Sequence, residues 1–88
     1  MKKTKPPSYE RLAYRIAGLI RDIPEPCTDA DVVRVFETVD ATPQEKGDAF
    51  WMLDEKPGLF PSYMAWHPRL RRCRNNPTHG RAMFALFR

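Results

Sequence analysis

Proline is the feature that most constrains what this chain can fold into. There are nine in 88 residues, and each removes a backbone donor and turns the residue before it away from helical geometry. Most of them stand where a helix must stop or start. Ile23-Pro24-Glu25-Pro26 ends a first helix that Ser8 is placed to cap, along which Tyr9, Leu12, Ala13, Ile16, Ile20 and Ile23 make one apolar stripe. Thr28 caps a second helix, with Asp29 and Asp31 in its first turn and Val32, Val35, Phe36 and Val39 facing inward. Thr42-Pro43-Gln44-Glu45 is a capping box with proline at the first helical position. It opens a third helix that buries Ala49, Phe50, Met52 and Leu53, with Trp51 at the edge of that side.

Beyond Lys56-Pro57-Gly58, a turn, the pattern loosens. Leu59, Phe60, Tyr63, Met64 and Trp66 form an aromatic stretch in which Ser62 can cap one helical turn, and a short helix is expected from Pro68 to about Arg74. Asn75-Asn76-Pro77 closes it, Thr78-His79-Gly80 reads as loop, and residues 81–87 fit a helix or a strand, helix being chosen for class consistency. The fold expected is therefore all-α: a small single domain of three to four short helices with a proline-rich, basic C-terminal segment. Residues 1–7 are a flexible basic arm and residues 8–88 the domain. No apolar run is long enough to span a membrane, and two cysteines without a leader point to the cytoplasm.

Charge is distributed in blocks. Residues 1–21 carry a net +5; residues 22–55 hold ten acids against Arg34 and Lys46, a net −8; residues 56–88 hold seven bases and no acid. Either both basic arms fold onto the acidic middle and neutralise it, or the surface is bipolar and engages an acidic partner. Six of the seven C-terminal bases are arginine, whose planar fork favours bidentate contact with phosphate or carboxylate. The helices over residues 29–39 and 43–55 have helix-turn-helix spacing. The second, however, carries Glu45, Asp48, Asp54 and Glu55, which repel phosphate.

Catalytic and metal-binding patterns are weak. Cys27, His67, Cys73 and His79 are spaced unlike a zinc knuckle, and no phosphate-cradling glycine loop, carboxylate pair or oriented nucleophile appears. A non-enzymatic chain without cofactor or metal is expected. Trp66, Tyr63, Phe60 and Phe84, interleaved with arginine, either stack nucleic-acid bases or serve as core. The bond between His67 and Pro68 leaves both isomers open, and a cis bond there would give a prolyl isomerase a point of action.

The segment Trp66-His67-Pro68-Arg69 in the second half of a short, basic, helical chain resembles the anti-RecBCD accessory proteins of lambdoid phages. That resemblance implies a modulator of a host recombination nuclease acting by protein contact, with Trp66, His67, Pro68, Arg69, Arg71, Arg72 and Arg74 as partner-binding residues. The partner expected is accordingly a host DNA-processing complex such as RecBCD. The alternative is a small basic nucleic-acid-binding protein.

Overall fold

The computed structural model describes residues 8–88, so the basic arm expected over residues 1–7 lies outside the described residues. Five α-helices follow one another: α1 (Ser8–Arg21), α2 (Asp29–Thr38), α3 (Pro43–Glu55), α4 (His67–Asn75) and α5 (Pro77–Ala85). Two single 3-10 turns, Pro57–Leu59 and Met64–Trp66, bridge α3 to α4. The class is all-α, with no strand among the described residues and more helices than the three to four expected.

The first three helices form where local chemistry places them. α1 buries Leu12, Ala13, Ile16, Ala17 and Ile20, and Ile23, past its end, still packs on the core. Both later starts are capping boxes. The Thr28 hydroxyl accepts from the Asp31 amide at 3.2 Å while the Asp31 carboxylate accepts from the Thr28 amide at 3.0 Å. Thr42 and Glu45 repeat the exchange at 3.1 and 3.0 Å. Each box satisfies two amides that would otherwise lack a helical acceptor.

The C-terminal third is more ordered than its sequence suggests. Asn76 does not merely close α4. Its side-chain oxygen accepts from the amides of Thr78 and His79, both at 2.9 Å, and Pro77 follows at the first helical position. Thr78-His79-Gly80, expected as loop, is the first turn of α5. Gly80 is there for packing: a Cβ on it would stand 2.3 Å from the carbonyl oxygen of Arg74, so only glycine lets α5 cross this close to the end of α4. The open choice over residues 81–87 resolves as helix to Ala85 and a turn beyond it.

In the packing, α1 lies chiefly on α3, and α2 receives α4 and α5. The irregular stretch between α3 and α4 supplies core rather than surface, because Phe60 and Tyr63 are buried with Phe36, Ile16, Ile20, Leu53, Leu70 and Met83. The bond before Pro68 is trans, with Pro68 in the first turn of α4; the cis peptide is Glu25–Pro26. No helix among the described residues is long and apolar enough to cross a membrane.

Candidate partner-binding site

The arginines of α4 make contacts within the chain, although only Arg69 is buried. Arg69 is buried, and its Nη1 donates to the carbonyls of Ile20 at 2.9 Å and Ile23 at 2.8 Å, while Nη2 meets the Glu25 carboxylate at 2.5 Å. The Ile20 carbonyl belongs to the last turn of α1 and that of Ile23 to the chain just past it, so Arg69 caps that helix end from a distant part of the chain. Arg72, one helical turn on, donates to Asp29 at 2.9 Å and to the Cys27 carbonyl at 2.8 Å. The other Asp29 oxygen accepts from Asn76 at 3.1 Å, tying the starts of α2 and α5 together.

Arg74 and Arg71 face α3 instead. Arg74 donates to the buried Asp54 carboxylate at 2.6 Å, and Arg71 lies 3.9 Å from its second oxygen with half its own side chain exposed. The four arginines of α4 thus meet three carboxylates of the acidic middle, those of Glu25, Asp29 and Asp54. Of the expected contact residues, Arg69, Arg72 and Arg74 are engaged internally, Trp66 and His67 are half-buried, and Pro68, Arg71 and half of the Arg72 side chain are exposed. They do not form one free basic surface.

The expected chemical groups are dispersed or muted. Among the described residues no three of His, Cys, Asp and Glu gather as metal ligands, so Cys27, His67, Cys73 and His79 make no common site. Burial pushes the Cys73 thiol up to about 11, with Asp29 adding to it, and its sulfur rests 3.5 Å from the Asp29 carbonyl. Burial likewise raises the Tyr63 phenol, with the Asp54 charge reinforcing it. Neither group is poised as a nucleophile or base at neutral pH. Of the four rings proposed for base stacking, Phe60 and Tyr63 are core, leaving Trp66 half-exposed and Phe84 at 40% exposure.

Away from these residues, a concave surface lies on α3. Phe36, Phe50, Phe84 and Phe87 form a cluster of rings with centroids 5.3–6.1 Å apart, which binds the turn after α5 to α2 and α3. Gly47 permits this approach, since a Cβ there would stand 3.3 Å from the Cβ of Phe87. Beside the cluster opens a hollow of about 670 Å³ lined by Pro43, Gly47, Asp48, Trp51, Phe84 and Phe87, among others. A second, of about 320 Å³, lies between Tyr9, Asp48, Trp51, Met52 and Lys56. Trp51 and Asp48 line both, making them the shared wall of one two-part groove.

Trp51 is 62% exposed, far more than an edge-of-core position implies. No family, curated protein or solved structure matches this chain. The groove therefore rests on its own geometry, which no expected contact residue marked. One signal was present in the sequence: Trp51 falls on the helical face shared by Gly47, Asp48 and Glu55, where a large ring is out of place unless something covers it.

Proposed function

We propose that this chain is a non-enzymatic protein-binding module that docks a partner in the groove around Trp51. The observation that carries this is the exposed Trp51 indole standing between two adjoining hollows, with the exposed Phe84 ring on one side. Aromatic anchors in desolvated pockets dominate the energetics of protein interfaces, and an uncovered tryptophan costs a free protein solubility without helping its core. The resemblance carried by Trp66-His67-Pro68-Arg69 suggests the partner: a host DNA-processing complex, such as the RecBCD nuclease, whose behaviour the bound module alters.

Nucleic-acid binding is the less favoured function. Arg69, Arg72 and Arg74 hold carboxylates or carbonyls of the chain itself, and breaking those contacts to reach phosphate would expose unpaired groups.

The test is affinity capture from bacterial lysate with the tagged chain, its Trp51→Ala variant and its Arg71→Glu variant, with and without nuclease. A stoichiometric protein retained through nuclease treatment and lost with Trp51→Ala supports the module, and recovery of the recombination nuclease supports the named target. Capture that vanishes with nuclease, or is lost with Arg71→Glu and kept with Trp51→Ala, refutes docking at Trp51.

A further inference from the structure

Within the docking function proposed above, and resting on it, the geometry points to the chemistry of the occupant: we infer that the groove takes an apolar peptide segment with a lysine or arginine at its centre, the cation sitting between the Asp48 carboxylate and the Trp51 ring. Asp48 lies one helical turn before Trp51 and lines both hollows, so its carboxylate is central to the groove. Most acids of the −8 segment are already used: Asp22 by Arg21, Glu25 by Arg69, Asp29 by Arg72, Asp54 by Arg74, and Asp31 and Glu45 by capping boxes. The Asp48 carboxylate has neither an ion pair nor a hydrogen bond among the described residues, although Asp48 is partly withdrawn from water.

A partly desolvated carboxylate beside an exposed indole is a pairing that an incoming cation satisfies twice, by charge and by the negative face of the ring. The walls Phe84, Phe87, Tyr9 and Met52 meet the apolar flanks of such a segment. Lys56 and Arg88 stand in the second and first hollow respectively. They disfavour further cations at the ends of the occupant, which places the positive residue at the centre.

The experiment titrates the ¹⁵N-labelled chain with capped nine-residue peptides of leucine and alanine that differ only at the central residue: arginine, lysine, norleucine or glutamate. The readout is the indole N–H signal of Trp51, assigned by its loss in Trp51→Phe. Saturable shifts are expected with arginine and lysine, with affinity at least tenfold weaker for norleucine and weaker again for glutamate. Asp48→Asn is expected to erase that difference while leaving the amide spectrum otherwise folded, and Asp48→Lys to favour the glutamate peptide. Equal affinity for arginine and norleucine overturns the cation requirement and leaves apolar docking at Trp51 standing. Failure of every peptide to move the Trp51 signal overturns both. Concentration-dependent shifts without peptide, with a doubled mass in sedimentation, would make a second copy of the chain the occupant and overturn the inference.

Discussion

Arg69 shows how one side chain joins segments that are remote in sequence. Its guanidinium serves the Ile20 carbonyl in the last turn of α1 and the Ile23 carbonyl just past it, and it does so while 7% exposed. Glu25, its ionic partner, is 80% exposed and adds little, since water screens it. The contribution lies in the carbonyl contacts, which lose their donor if the fork is removed. Arg69→Met is expected to cost about 2–4 kcal/mol, because hydrogen bonds from a charged donor to buried acceptors are involved. For a domain of this size that lowers the melting temperature by roughly 10 °C or more, read by circular dichroism. Arg69→Lys should recover only part of it, a single ammonium being unable to span both carbonyls in the same geometry. A melting temperature unchanged in Arg69→Met would show that water caps α1 equally well.

Among the helices, the two opened by capping boxes, α2 and α3, start where their sequences say, whereas the polar cap of α5 opens a helix in a stretch expected as loop. Thr28, Thr42 and Asn76 each accept from amides of the turn that follows. The first two are legible because acids three residues on complete the box. The third is obscured by Thr78-His79-Gly80, a composition that reads as loop. Gly80 was the misleading residue, and its explanation belongs to packing: the backbone of α4 occupies the space where a side chain would be. Gly80→Ala gains helix propensity of about 1 kcal/mol. The contact at 2.3 Å is with a backbone carbonyl that cannot rotate away. Overpacking should dominate, at about 2–3 kcal/mol net destabilisation, measured by urea titration. A more stable variant would mean that α4 and α5 separate freely.

Over the whole described molecule, part of the basic C-terminal block folds onto the acidic middle: Glu25, Asp29 and Asp54 each meet an arginine of α4. Arg69 and Arg72 hold the segment between α1 and α2, Arg71 and Arg74 face α3, and Asn76 reaches Asp29. The aromatic cluster links α2, α3 and the turn after α5. With contacts crossing every boundary, the acidic middle and basic C-terminal part should unfold together. Far-ultraviolet circular dichroism and tryptophan fluorescence, which report Trp51 on α3 and Trp66 before α4, are expected to give coincident thermal transitions. Two separated transitions would mean that the C-terminal part is held only loosely.

By itself the sequence determined the all-α class, the bounds of α2 and α3, and the apolar stripe of α1, because caps, prolines and 3.6-residue periodicity act over one or two turns. It also announced the charge blocks. Whether those arginines face a partner or the chain's own carboxylates depends on where α4 is carried in space, and only the tertiary structure decided that. The same holds for Trp51: its helix was legible, but the groove beside it exists because Gly47 and the turn after α5 bring Phe84 and Phe87 against α3. Local propensity acts through neighbours in the chain, whereas a binding surface is made by residues that are neighbours only after folding.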